Sequence, residues 1–492
     1  MARSGSEQGP RTLARPILAA ILTVFLLLSY PLNLTGEDPG APVWDDEPKI
    51  PVDGGPEGFR SRGTWTSMVY IALDNDLDEY PVDATNMMLR QLLAIPELPG
   101  VNLVVFMDGH RSGLDPGLTH VFYITANRPI PIPLRTVNAS WTGRDLDSGC
   151  PYTLLDFMTF CVDVFPADNY ALQMVGHGGG WRGQAWDYTA GSHISNVEFT
   201  MVMRRFSGMI GGKLDLLIFA ECLMSQLEVL YPLRDYVDIA IGSQQITQPT
   251  VGYQTAGGSV FSIRKDQSNE EIAVAVVEAT MTLFRSTQVT LQYGAVDLKA
   301  IEEVATAVDM LSHAILSDRA FDEAMEAREK VQEFGHWGES RHHAIDLMHY
   351  CEILRSMPTT EGIKESATRV IEAVSSAVLI SDHYNGPIQA EVGVDLANGI
   401  AMYFDLECQK EEYWEQEIAR DTRWGWMVDA TVDPDSREWI LDELGYNEEQ
   451  RSGERAGIAG AAASLWLLGG LAVFCLAAVV LRVKKMGPWK EG

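Results

Sequence analysis

What most constrains this chain is a repeated alternation, between Thr66 and Gly242, of short apolar runs and amphipathic stretches. Strands are expected over Thr66–Leu73, Val101–Met107, His120–Ala126, Tyr170–Val175, Leu214–Phe219 and Val237–Gly242. Between them Glu79–Leu93, Pro151–Val164 and Met224–Arg234 carry helical periodicity. Runs that are apolar at nearly every position suit strands buried on both faces, so the pattern predicts an α/β sandwich with a mostly parallel sheet. From about residue 268 the texture turns helical, over Asn269–Phe284, Leu298–Phe334 with a break near Ser317, and Ile363–Leu379. A strand-like return, Gly399–Phe404, closes that region and could add a late strand.

Two uncharged runs flank this core. Pro16–Gly36 has Arg3, Arg11 and Arg15 before it and Glu37, Asp38 and Asp45 after it, the charge pattern of a signal peptide or signal anchor. Ala456–Leu481 would extend about 39 Å as a helix, enough to cross a hydrocarbon core. Arg482, Lys484 and Lys485 follow it and point the C-terminus to the cytoplasm. Both ends therefore predict a cell-membrane protein whose main body is extracytoplasmic. The net charge of −31 excludes the basic surface a nucleic-acid partner needs, so membrane attachment rests on the apolar runs. An oxidising location permits disulfides, with Cys150–Cys161 and Cys351–Cys408 as candidate pairs, and leaves Cys222 apart from both.

Two motifs carry chemistry. Gly176-His177-Gly178-Gly179-Gly180 follows one expected strand, and Ala220-Glu221-Cys222-Leu223 follows the next. The carboxyl ends of parallel strands are where sites form, and adjacent strands lie about 4.8 Å apart. A thiolate at Cys222 can act as nucleophile, and His177 can take its proton and return it to a leaving amine. The glycines permit close backbone approach, and a helix starting after Cys222 would turn its positive end towards the sulfur. Taken singly, an apolar-flanked cysteine is a core residue and a glycine run is a turn; their matching places at two strand ends favour a site. The HGGG string also serves esterases, but Gly257-Gly258-Ser259-Val260-Phe261 lacks the closing glycine of the serine elbow that fold requires.

With these residues in view, the chain resembles the clostripain family of cysteine peptidases, in the caspase-like fold group. The likeness runs through residues 66–80, 169–181, 214–231 and 237–243, with weaker matches at Ala344–Met348 and Gly399–Phe404. It implies a caspase-like three-layer sandwich, a His177–Cys222 dyad, and the Gly178 and Cys222 amides as oxyanion donors. Peptide or protein substrates follow. No cofactor is needed for the chemistry, calcium is a candidate ligand by resemblance alone, and metal ligands are unknown. Family members carry an acid two residues before the cysteine, where this chain has Ala220 followed by Glu221. They also carry acids after the last of these strands, where it has Gln244 and Gln245. Those acids select Arg or Lys in the substrate, so the resemblance does not carry basic specificity here; Asp187 is a further candidate pocket acid. Some relatives are activated by cutting between the His and Cys strands, an interval that here holds Arg204, Arg205 and Lys213.

The layout is thus a signal peptide or signal anchor (1–36), a linker (37–63), a caspase-like catalytic domain (64–265) and a helical C-terminal subdomain with a late strand (266–431). An acidic stalk (432–455), a transmembrane helix (456–481) and a cytoplasmic tail (482–492) complete it. Asp74, Asp76 and Asp78 alternate like a calcium loop but lack its glycine and its closing glutamate, so helix capping is the expectation. His342, Asp346 and His349 would share a helical face near His336, Glu339 and His343 and could hold zinc or copper, against the simpler reading of an ordinary helix. A silent surface binding module of the same fold, or a transpeptidase using the same dyad, are the competing functions.

Overall fold

The computed structural model describes residues 62–79, 100–109, 118–125, 128–143, 145–247, 263, 267–337, 340–387 and 392–446. Both uncharged runs, the expected helix from Glu79 to Leu93 and the serine string at Ser259 lie outside these, apart from Glu79. Among the described residues no helix is long and apolar enough to cross a membrane. The described residues up to Arg437 belong to one compact unit, and those from Glu438 to Tyr446 to a second.

Fourteen strands are described: β1 (Gly63–Leu73), β2 (Val101–Gly109), β3 (Thr119–Thr125), β4 (Arg128–Ile132), β5 (Ala167–Val175), β6 (Gln184–Asp187) and β7 (Ser192–Ile194). β8 (Leu214–Ala220), β9 (Val237–Gly242), β10 (Leu291–Asp297), β11 (Glu333–Trp337), β12 (Ser340–Asp346), β13 (Val378–Tyr384) and β14 (Ala401–Tyr403) follow. Nine form one sheet in the order β13-β10-β9-β8-β5-β1-β2-β3-β4. The five central strands, β9 to β2 in that order, run parallel, as their unbroken apolar character predicts. Helices cover both faces. On one, Leu216, Ile218, Ile239 and Ile241 pack in a core with Ile272, Val276 and Phe284 of the helix Asn269–Thr287. On the other, Tyr70 stacks on Phe106 at 4.4 Å, and both rings meet Phe157 of the helix Pro151–Val164. Each such fully buried side chain contributes about 1.5–3 kcal/mol through desolvation, which fixes the sheet the site rests on.

The stretch expected to be helical supplies two strands of this sheet, because β10 pairs antiparallel with β9 and β13 with β10. Gly399–Phe404 gives β14, which joins a separate three-stranded sheet with β11 and β12 rather than the main one. Part of the expected stalk is helical, over Pro434–Glu443. The outermost strand, β4, reads RPIPI and has proline at two of its five positions, Pro129 and Pro131.

Neither candidate disulfide forms: the five described cysteines are free thiols. Cys150 caps the helix Pro151–Val164 and Cys161 lies in its last turns, so eleven residues of helical rise, about 16 Å, separate them. Cys351 is buried in the helix Leu347–Ser356, and the Cys408 thiol faces Asp433 Oδ2 at 3.8 Å.

Candidate active site

β5 ends at Val175 and β8 at Ala220, and these two residues are register partners in the parallel ladder. His177 and Cys222 therefore each lie two residues beyond the same rung of adjacent strands. Their loops touch. A Cβ at Gly178 would stand 2.3 Å from the Cys222 carbonyl oxygen and 3.0 Å from its nitrogen, so only glycine allows the contact. Further along, Gly180 has φ +62°, and its missing side chain makes room for the Gln226 carboxamide. Gln226 Oε1 accepts from the Trp181 N–H at 3.1 Å, while the Trp181 ring packs on Tyr403 and Tyr413. The His loop is thus anchored on both sides.

His177 is held by groups from two other elements. Asp76 Oδ1 accepts from His177 Nε2 at 2.7 Å, and the Tyr188 ring lies stacked on the imidazole with centroids 6.2 Å apart. Asp76 opens the 3₁₀ turn Asp76–Glu79 just after β1, and β1 is the neighbour of β5. The turn is capped by Asn75, whose Oδ1 accepts from the Leu77 N–H at 3.0 Å, so the capping expected of the aspartates falls to the residue between them. Asp74 turns into the interior, and the side chain of Asp78 is outside the described atoms. Asp76 and His177 are 101 residues apart in sequence, so only the tertiary fold pairs them.

Cys222 is a partly exposed residue whose sulfur is enclosed. The Thr247 N–H donates to Sγ at 3.2 Å, and Sγ also faces the Thr247 carbonyl and hydroxyl at 3.5 Å each. Burial pushes the thiol above its ordinary range and Glu221 adds to the rise, while the Thr247 hydrogen bonds oppose it. The helix expected straight after Cys222 is short and late, Leu227–Leu230, so no positive helix end reaches the sulfur. The chain instead leaves the strand through Leu223 at φ +65°, a left-handed turn held by its N–H to the Gln245 carbonyl at 3.3 Å. A non-glycine residue in that region stores strain, as is common beside functional groups. As described, the thiol faces Thr247 and the imidazole is bonded to Asp76.

None of the expected pocket residues opens onto solvent. Ala220 and Glu221 are buried, and burial drives the Glu221 carboxyl well above the usual range against the Ala185 amide. Gln244 is wholly internal: its Nε2 donates to Asp346 at 2.9 Å, and its Oε1 accepts from the Gly399 N–H at 2.7 Å. Gln245 Oε1 accepts from the amides of Ile246 and Gly335. Asp187 is buried too, its carboxylate taking the Ala190 and Ser148 amides at 2.7 and 3.0 Å. All five side chains are buried as described, with Gln244, Gln245 and Asp187 bonded internally.

The shared helical face of His342, Asp346 and His349 is not formed. His342 and His343 lie on β12, Asp346 caps the next helix, and His349 sits inside it, accepting the Gln332 N–H at 2.9 Å. His343 faces Glu333 at 3.1 Å and Asp405 at 3.5 Å. Burial alone would raise the Glu333 carboxyl, but hydrogen bonds from His343 and Arg328 win and hold it at about 2. Burial likewise lowers His342 to about 4. Glu339 is outside the described residues. The one group of metal-competent side chains among the described residues is elsewhere: Asp74, Asp108 and Asp187. Of the basic residues between the His and Cys strands, Arg204 and Arg205 lie within the helix Asn196–Ile210, and Lys213 lies past its end with Nζ bonded to the Arg234 carbonyl.

The model of the clostripain family matches residues 69–439. Among solved structures, the chain is similar to a secreted C11 cysteine protease of Bacteroides thetaiotaomicron in complex with an irreversible peptide inhibitor. The two are 16% identical with a TM-score of 0.56, and the match covers 75% of this chain and 99% of that one. An inactive zymogen C11 protease of Parabacteroides distasonis is 20% identical with a TM-score of 0.55, over 75% and 99% of the two chains. At these identities the likeness is one of fold, a mixed α/β architecture around a large, mostly parallel sheet. No curated protein matches the chain in sequence.

Proposed function

The chain belongs to the clostripain family and is a cysteine-type peptidase, and on that premise we propose that it is a membrane-anchored endopeptidase of caspase-like fold with Cys222 as nucleophile and His177 as base. The observation that supports this reading is the Val175–Ala220 rung with the glycine contact above it, which brings the His177 and Cys222 loops together. Asp76 occupies Nε2 and leaves Nδ1 to exchange a proton with the thiol. In the forward step the Cys222 proton passes to His177 and the sulfur attacks the substrate carbonyl carbon. The resulting oxyanion is met by the Gly178 and Cys222 amides. Collapse breaks the C–N bond, His177 returns the proton to the departing amine, and a thioester remains. Water, activated by the same imidazole, hydrolyses it.

A raised pKa leaves little thiolate at neutral pH, so alkylation of the uncut chain is expected to be slow near pH 6 and to rise continuously as the pH climbs. A peptide carrying a thiol-trapping group should still form an adduct that mass spectrometry maps to Cys222, and His177→Ala should lose it. Absence of any adduct, before or after limited proteolysis of the chain, would leave the silent binding module. Ligated product on addition of an amine acceptor would instead favour the transpeptidase. Lys213, half-buried but past the helix end, is the expected position for activating cleavage, because a cut at the exposed Arg204 or Arg205 would first need their helix unwound.

Anchoring rests on the two uncharged runs, Pro16–Gly36 and Ala456–Leu481, and the secreted relative accords with an extracytoplasmic body. Expressed in cells, the full chain is expected to stay with the membrane after alkaline carbonate washing, with the body open to external protease. Release into the wash would overturn the anchor.

A further inference from the structure

We propose, on the His177–Cys222 reading above, that Tyr188 walls the subsite for the substrate residue that follows the scissile bond. That subsite takes an aromatic or large aliphatic side chain.

The direction of the substrate comes from the sheet. Ala220 of β8, Val175 of β5 and Ile71 of β1 stand in one row of the parallel ladder. Beyond that row Cys222 follows β8, His177 follows β5 and Asp76 follows β1. Thr247, which encloses Sγ, comes from the chain after β9, on the side of β8 away from β5. In acyl transfer the carbonyl carbon meets the sulfur and the departing nitrogen meets the imidazole. The acyl part of a bound peptide therefore lies towards β9, and its amine part runs past His177 towards β1, where Tyr188 stands.

The Tyr188 ring suits that place. It lies 18° from parallel to the imidazole with centroids 6.2 Å apart, yet the residue is 55% exposed, more than any other large hydrophobic side chain among the described residues. An apolar face open to water beside the reacting bond gains from a side chain that covers it. Backbone and neighbours hold the ring still. Tyr188 N–H donates to the Asp74 carbonyl at 2.7 Å, and Asn75 Nδ2 donates to the Trp186 carbonyl at 2.8 Å. Trp186, on β6 of the same hairpin, stacks on His193 at 5.0 Å and lies so close to Gly179 that a Cβ there would stand 2.8 Å from its ring. The hairpin is thus seated against both the turn after β1 and the His loop, a platform that needs little ordering when a ligand arrives. The charge beside it is already engaged, because Asp76 Oδ1 holds His177 Nε2 and the Tyr188 hydroxyl meets the same carboxylate. What the platform offers is an aromatic face, which selects an apolar side chain over lysine or arginine.

The experiment measures turnover of a peptide library varied at the residue after the cut. It uses the purified full chain before and after limited proteolysis, with Cys222→Ala as the blank. Peptides with phenylalanine, tyrosine or leucine there should exceed those with glycine or serine about three- to tenfold in kcat/KM, the size of one aromatic contact. Tyr188→Ala should bring that ratio close to one, and Tyr188→Phe should keep it. If Tyr188→Ala does not fold, Tyr188→Asn, which suits a turn, takes its place. A residue acting only through Asp76 or the imidazole would lower all peptides alike and leave the ratio unchanged, and that result overturns the subsite. A wild-type preference for lysine or arginine after the cut overturns it as well. Cleavage without any preference there overturns the subsite alone, whereas no cleavage above the blank overturns the dyad reading and the subsite with it.

Discussion

Replacing Cys222 by alanine is expected to lower peptide-bond cleavage by about 10,000-fold or more while leaving the melting temperature within a few degrees of wild type. The magnitude follows from the chemistry: without the sulfur no thioester forms, and only oxyanion stabilisation and substrate binding remain. The small stability effect follows from the packing. The sulfur makes only weak hydrogen bonds, all to Thr247, and the backbone that shapes the loop is held by Leu223 and Gly178 instead. The measurement is turnover of a peptide library, varied at the residue before the cut, by the two proteins side by side. Equal turnover by the variant would remove Cys222 from the mechanism. The preferred residue will also define specificity, which Gln244 and Gln245 do not supply by contact because both are spent on internal hydrogen bonds.

Gly178→Ala should also be damaging, by a different route. Its new methyl would overlap the Cys222 carbonyl oxygen and crowd the Cys222 nitrogen and Glu221 Cβ, all on a loop pinned to the sheet. Backbone must move, and overpacking of this kind costs about 3 kcal/mol. The shift moves the Gly178 amide and its neighbour at Cys222 together, so cleavage should fall about 100-fold or more even in the fraction that folds. Melting curves and turnover per folded molecule separate the two effects. An alanine variant with wild-type stability and rate would show that the loops do not meet as described.

Much of this architecture is legible in the sequence, for a physical reason. The central strands are apolar at almost every position, a pattern that only a sheet covered on both faces accommodates, and β9 begins and ends where the pattern does. The helix Pro151–Val164 is likewise marked by a proline at its first turn. β10 and β13 are not legible in the sequence because Gln292, Ser381 and Asp382 break their apolar runs, and their pairing is with strands far away in sequence. The His-rich stretch carries helix-like spacing, yet Gly335 at φ +81° and His343 at φ +52° bend it into the β11–β12 hairpin. At the site, the strand-end rule marks His177 and Cys222. Their partners are invisible to it, because Asp76 and Thr247 are joined to them only by the tertiary fold. The helix expected straight after Cys222 is absent for the same kind of reason: Leu223 turns the backbone left-handed where it would have begun.

The outer edge of the sheet has a bearing on how copies of this chain behave when crowded together. An exposed edge strand is a template on which a second molecule, or a stray extended segment, can add by main-chain pairing. β4 closes that side with Pro129 and Pro131, which provide no N–H to an incoming strand. Self-association through this edge is therefore disfavoured at its root, and dense packing of the protein need not lead to fibres growing sheet upon sheet.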